Sequence, residues 1–258
     1  MLCRDIIEVM ERTYPKHAAL EWDNVGLLVG RMEKEVKKIY VALDATDEVI
    51  TDAIDKGVDM LITHHPLVFD PMKQITDEHF IGSRVVKLLQ HDISYYALHT
   101  NYDVLGMAEL SSQILGLRRA EVLEVTNAEK GEGIGRVGFF SKDITLLECA
   151  ELVKEKFSLS HVKVFGNLNK MVKKVAISPG SGKHMSELAV AKQADVFVTG
   201  DIDHHEGIDA VAQGVAIVDA GHYGLEHIFI SDIASYLTNH LDNIEIMKAS
   251  IQHPFQMI

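Results

Sequence analysis

The sequence is poor in cysteine, in net positive charge and in long apolar runs. Its two cysteines, Cys3 and Cys149, lie far apart and outside any CxxC spacing, so neither a disulfide framework nor a thiolate metal site is indicated. A net charge of −13 at pH 7 disfavours nucleic acid and anionic membranes as partners, because both demand basic patches. No run approaches the roughly 18 apolar residues of a membrane-spanning helix. A cytoplasmic protein with no membrane partner is therefore expected.

The overall composition is typical of a globular protein. The chain has 258 residues, of which 47% are apolar and 24% charged, enough for one large or two modest domains. Apolar strand-like segments alternate with segments of helical periodicity, which is typical of an α/β fold. The pattern predicts helices over 4–13, 47–56, 80–91, 106–116 and 226–239, and a T-x-x-E capping box at Thr145 and Glu148 predicts one more.

A weak internal repeat in the sequence suggests two related units. GVDMLITHH (57–65) is matched by QADVFVTGD (193–201), and ISYYALHTNYD (93–103) by VAIVDAGHYGLE (215–226). We therefore expect an α/β fold of two similar, interlinked α/β units, each a mixed sheet flanked by helices, with a metal cleft between them. The segment NAEKGEGIGRVGFFSKD is the best candidate for a boundary or crossing segment, which gives units of 1–126 and 127–258, with a C-terminal helix that can pack back on the first.

The candidate site residues follow predicted strands. In LITHHPLVF (61–69), Pro66 prevents further strand pairing, so both His64 and His65 can turn into a cleft; the alternative is a pair of polar residues that cap a strand. His222 and Glu226 are four residues apart, a spacing that puts both on one helical face. Open α/β sheets bind ligands at the carboxyl ends of their strands, where all the candidates lie: His64, His65, His99, Asp103, His222 and Glu226.

Histidine and carboxylate ligands without cysteine suit zinc, manganese or ferrous iron. Without His99, whose role has other interpretations, three histidines and two carboxylates exceed the needs of one tetrahedral site and suit two divalent ions. Two such ions attract phosphate and lower the pKa of bound water, which supplies a hydroxide nucleophile. The set therefore predicts hydrolytic chemistry.

Five motifs, EWDNVGLLVG, ITHHPLVF, HTNYD, TGD and DAGHYGLEH, resemble those of the YbgI/Nif-three-like family of dinuclear metal proteins, the GTP cyclohydrolase I type 2 homologues. The resemblance covers essentially the whole chain, in the short form without an inserted domain, and implies a ring-shaped homohexamer. It also implies a two-ion site with Asp103 and Glu226 as bridging carboxylates, its ligands being His64, His65, Asp103, His222 and Glu226. The family commonly has Glu at the position of Asp201, and Ala-Thr at the position of Gly224-Leu225.

Other polar residues have two interpretations each. His99 could orient a ligand or transfer a proton, or it could be a hydrogen-bonded core histidine; with Asp201 it is the candidate catalytic residue. Asp23 and Asn24 line the cleft or cap a turn. HHEG (204–207) could contact substrate or begin a solvated helix, and SPGSGKHM (178–185), which lacks the phosphate-loop spacing, favours a plain turn.

We thus expect a hydrolase that depends on two divalent ions and acts on a nucleotide or other phosphorylated small molecule through a metal-bound hydroxide. The alternative is a non-catalytic metal-binding or regulatory ring protein that binds a partner or nucleic acid. A ring threading nucleic acid would need a locally basic lining, which the overall charge disfavours.

Overall fold

The computed structural model describes residues 1–256 and residue 258, and its contacts divide the chain into two compact units. The first contains Met1–Tyr102 and His227–Gln252, and the second contains Asp103–Glu226 and His253–Ile258. No helix in the described residues combines the length and apolar character needed to cross a bilayer.

The first unit is a mixed five-stranded sheet with helices. Strands β2, β3, β4 and β11 pair in parallel in the order β4-β3-β2-β11, and β1 joins β4 in antiparallel orientation. Its elements are α1 (Cys3–Thr13), a 3-10 turn (Lys16–Ala18), β1 (Gly26–Val29), β2 (Lys38–Ala42), α2 (Asp47–Asp55), β3 (Met60–Thr63), α3 (Phe80–Gln90), β4 (Ser94–Ala97), α4 (Thr100–Tyr102), α10 (Ile228–His240) and β11 (Glu245–Lys248).

The second unit is a mixed six-stranded sheet with helices. Strands β8, β9 and β10 are parallel, β7 pairs antiparallel with β10, and β5 and β6 form a hairpin that extends the sheet beyond β8. Its elements are a π-helical segment (Asp103–Met107), α5 (Ala108–Leu115), β5 (Arg118–Asn127), β6 (Glu132–Thr145), α6 (Leu146–Lys156), β7 (Lys163–Phe165), β8 (Met171–Ser181), α7 (Met185–Ala191), β9 (Val196–Gly200), α8 (His204–Ala212), β10 (Ala216–Asp219) and α9 (His222–Glu226).

The two sheets repeat one topology, which confirms the predicted fold class of two similar mixed α/β sheets flanked by helices. The order β1-β4-β3-β2 in the first unit corresponds to β7-β10-β9-β8 in the second. In both, three parallel strands carry a preceding antiparallel edge strand, and helices connect the parallel strands.

The central strands are apolar because both of their faces are covered. All four residues of β3 are buried, and the same holds for β4 and β10. Buried parallel strands are near-continuous apolar runs, which makes them recognisable in the sequence. In the first unit Ile50 of α2 and Leu88 of α3 pack with Leu61 of β3; in the second, Ala189 of α7 packs with Phe197 of β9.

Helices α2 and α6 begin where the sequence predicts, whereas α5 and α10 begin two residues later than predicted, at Ala108 and Ile228. Thr46 caps α2 by accepting from the Val49 amide at 3.2 Å, and the capping box of Thr145 and Glu148 starts α6. Both cysteines are buried and unbridged, as their spacing indicated.

The compact units differ from a division at residue 126. The segment NAEKGEGIGRVGFFSKD comprises the last residue of β5, the turn and most of β6, and this hairpin belongs wholly to the sheet of the second unit. At the other end of the chain, α10 and β11 belong to the first unit, because β11 pairs with β2.

Candidate metal centre

His64 and His65 lie directly after β3, at its carboxyl end. Their two amides both donate to the carbonyl of Leu43, at 3.1 and 3.0 Å. Two successive amides that share one acceptor cannot continue a strand ladder, so the strand ends here and the two side chains no longer alternate between faces. The ring centroids lie 4.9 Å apart. The strand thus ends before the two histidines, as the sequence predicts.

Each imidazole of this pair is oriented through Nδ1. The fully buried His64 donates from Nδ1 to the Leu98 carbonyl at 2.8 Å, and His65 donates from Nδ1 to Asp44 Oδ1 at 2.7 Å. Because a carbonyl and a carboxylate only accept, Nδ1 carries the proton and Nε2 carries the lone pair in the neutral ring. This is the tautomer that a metal needs at Nε2.

His99 joins the same cluster from the end of β4. Its Nδ1 lies 2.8 Å from Oδ1 of the buried Asp23, and one ligand nitrogen from each of His64, His65 and His99 lies within 4.8 Å of the other two. Burial alone would raise the pKa of Asp23, but its hydrogen bonds with His99 and Thr100 outweigh burial and lower that pKa to about 2. Asp23 is therefore an anion that orients the His99 ring. Its role is not limited to capping a turn.

The second unit holds its own imidazole and carboxylate pair. His222 and Glu226 lie on one face of α9, as their spacing predicted, with 3.0 Å between Nε2 and Oε2. Nδ1 of His222 contacts Asp201 Oδ2 at 2.9 Å. Burial would lower the pKa of His222, but the hydrogen bonds and negative charges of Glu226 and Asp201 prevail and raise it to about 9.

Asp201 and Asp103 occupy unusual backbone positions. Asp201 follows β9 with a φ of +55°, a left-handed conformation that aspartate tolerates better than most residues. In that place it orients His222, so the structure supports a positioning role for this aspartate. Asp103 is half-buried at the start of the π-helical segment, a type of distortion that is frequent at functional sites.

Two residues that contribute to the site were missed from the sequence. Asp44, which orients His65, is an ordinary aspartate after β2. Gly180 lies against Glu226: a Cβ at this glycine would stand 2.5 Å from Glu226 Oε1. The expectation of a plain turn for SPGSGKHM is wrong for its first four residues, which are the end of β8. Within them Gly180 has a packing reason, since only glycine leaves room for the carboxylate.

The remaining candidates have structural roles. Asn24 donates from Nδ2 to the Val68 carbonyl at 2.6 Å. In HHEG, Asp203 caps α8 through the Glu206 amide at 2.9 Å, while His204 is exposed, as expected for a solvated helix start.

The donor set fits a divalent metal ion. All four histidines have Nδ1 fixed by a carbonyl or a carboxylate, three of them by aspartate, which is the arrangement that orients metal-bound histidines in proteins. With Glu226 the candidate ligand atoms are nitrogen and oxygen without sulfur, a set that suits zinc, manganese or iron(II).

Comparison with known proteins supports the family resemblance that the sequence motifs indicate. The model of the Duf34/NIF3 (NGG1p interacting factor 3) family matches residues 1–254. A Clostridium perfringens protein named GTP cyclohydrolase 1 type 2 homolog is 34% identical over the full length of both chains. Among solved structures, a Bacillus cereus protein related to NIF3 superposes with a TM-score of 0.90 at 27% identity over 100% of this chain and 99% of its own. Reduced HcgD from Methanocaldococcus jannaschii gives 0.84 at 32% identity over 96% and 97%. The chain therefore belongs to the Duf34/NIF3 family.

Proposed function

We propose that this protein is a hydrolase that depends on two divalent metal ions and acts on a nucleotide or another phosphorylated small molecule. The observation that carries the proposal is the common orientation of the four imidazoles through Nδ1. The proposed ligands are His64, His65, Asp103, His222 and Glu226.

Bound divalent ions would supply Lewis acidity, which lowers the pKa of water and polarises a phosphoryl or ring group. The chain's own residues do the rest. Asp44 and Asp201 hold the rings of His65 and His222 in one orientation. His99, whose Nδ1 is fixed by Asp23, presents Nε2 as the atom that can accept or return a proton during hydrolysis.

The name shared by the relatives makes GTP the first substrate to test. Protein loaded with zinc, manganese or iron(II) is assayed with GTP for formate release, which reports ring opening, and with a panel of phosphate esters. We expect activity in the wild type and its loss in His65→Ala and Glu226→Ala. His204→Ala, which removes an exposed histidine on α8, is the matched control and keeps full activity.

Equal activity in all four proteins would refute hydrolysis at these residues. Metal binding without turnover in the wild type would favour a second candidate, a metal-binding or regulatory ring protein that acts by holding a partner. The family description "NGG1p interacting factor 3" supports keeping that candidate in the test.

A homohexamer is also part of the proposal. The family resemblance supports it, and its test is a mass measurement described below.

A further inference from the structure

Two large aromatic side chains, Trp22 and Phe69, lie on the surface of the first unit. Trp22 is 59% exposed and Phe69 is 46% exposed. Their rings are stacked, with centroids 5.9 Å apart and 16° between the planes. Aromatic rings carry a large apolar surface that proteins normally bury, so a stacked pair left in water calls for a function.

The backbone beneath Trp22 is firmly held. The next residue, Asp23, accepts hydrogen bonds from the amide of Thr100 at 2.9 Å and from its hydroxyl at 2.5 Å, and also contacts His99 Nδ1. A ring that directly precedes such an anchored residue has a defined position, unlike a side chain at the tip of a free loop.

The loop that carries Phe69 is anchored in the same way. Asn24 Nδ2 donates to the carbonyl of Val68 at 2.6 Å, which ties the Trp22 segment to the Phe69 segment. On the other side, the amide of Leu67 donates to the hydroxyl of the buried Tyr95 at 2.8 Å. The two rings are therefore brought together by hydrogen bonds on both loops.

The pair adjoins the histidine cluster. The ring centroid of His99 lies 5.9 Å from that of Trp22 and 5.6 Å from that of Phe69, and both rings meet it edge-on. His99 in turn lies 5.2 Å from His64, centroid to centroid. A ligand on the aromatic pair would therefore have its reacting end beside the candidate metal ligands.

We propose that Trp22 and Phe69 form a stacking platform that binds the planar heteroaromatic base of the substrate beside His99. This inference rests on the proposed function and narrows the substrate class from phosphorylated small molecules to nucleotides. Stacking fits this surface because aromatic rings bind any base through its π-face. Exposed rings beside a cluster of polar side chains provide one place for the base and another for the phosphate group of the same molecule.

The test uses the fact that Trp22 is the only tryptophan in the chain. Guanosine is titrated against the protein, with and without zinc, while Trp22 fluorescence is recorded. We expect saturable quenching, and Phe69→Ala should weaken the binding about tenfold. Phe80→Ala is the matched control, since Phe80 is a 60% exposed phenylalanine of the same unit, and it should bind guanosine like the wild type. Phe69→Tyr, which keeps the ring, should also retain binding.

Ribose 5-phosphate, which lacks the base, should not quench. No quenching by guanosine, or equal weakening by Phe69→Ala and Phe80→Ala, would overturn the platform. The proposed function has a separate readout: if GTP is hydrolysed with a KM that Trp22→Leu and Phe69→Ala leave unchanged, the hydrolase stands and the platform is refuted. If guanosine binds as described but no substrate is turned over, the platform stands and the hydrolase is refuted.

Discussion

At the scale of single residues, the candidate centre depends on hydrogen bonds that fix each imidazole. His64 and His65 could be recognised in the sequence because Pro66 and the end of an apolar strand mark their position. Asp44 could not be recognised, because it reaches His65 across 21 residues and only the pairing of β2 with β3 brings the two together. The role of Gly180 could not be recognised for a similar reason, because it depends on the close approach of the Glu226 carboxylate in the folded chain.

Asp44→Asn should weaken metal binding while the fold persists. The variant removes the negative charge of the carboxylate that accepts from His65 Nδ1, and mutation of such a partner costs about 10- to 100-fold in metal affinity. Competition with a zinc chelator measures the affinity. Asp55→Asn, which changes an exposed aspartate of the same unit, should leave it unchanged; equal affinities in both variants would show that Asp44 does not act through His65.

Gly180→Ala should disturb Glu226, and Gly214→Ala should not. Both glycines have positive φ, +81° and +93°, so both variants pay a backbone strain of about 1 kcal/mol or more in the free energy of unfolding. Only the alanine at Gly180 meets the Glu226 carboxylate; a Cβ at Gly214 has nothing within 4 Å. Thermal unfolding should show destabilisation in both variants, and zinc titration should show reduced affinity in Gly180→Ala alone. Reduced affinity in both would assign the effect to strain.

At the scale of elements, the repeated topology could be recognised in the sequence as a weak internal repeat, because buried parallel strands are strongly apolar runs. The hairpin of β5 and β6 was missed because β5 is an edge strand with mostly exposed residues and no clear alternation. Its glycines and charges therefore resembled a linker. The short strand β11 was missed because four residues, two exposed and two half-buried, give too little pattern.

The capping box at the start of α6 gives a test at this scale. Thr145 Oγ1 accepts from the Glu148 amide at 3.2 Å, and Glu148 Oε2 accepts from the Thr145 amide at 2.7 Å. Thr145→Ala should lower the free energy of unfolding by about 1 kcal/mol, because helix amides lose their acceptor. Chemical denaturation measures it. Thr145→Ser, which keeps the hydroxyl, should retain most of the stability, and equal losses in both variants would point to the methyl group instead.

At the scale of the whole molecule, the division into units could not be placed from the sequence. The chain leaves the first unit after Tyr102 and returns to it at His227, and composition does not change at either point. The candidate ligands fall on both sides of these two crossings, with His64 and His65 in the first unit and His222 in the second.

The proposed hexamer predicts a mass of six chains of 28.7 kDa. Light scattering during size-exclusion chromatography measures the mass directly, at several protein concentrations. A single species of six chains is expected, and a monomer or dimer throughout the concentration range would contradict it.

The central proposal is that each chain holds two divalent ions, with His65 and Glu226 among the ligands. Its most direct test is the zinc content of reconstituted, desalted protein, measured by mass spectrometry of the metal for the wild type, His65→Ala, Glu226→Ala and the control His204→Ala. The account predicts two zinc ions per chain in the wild type and the control, and fewer in both His65→Ala and Glu226→Ala. No zinc in the wild type, or the same zinc content in all four proteins, would contradict it.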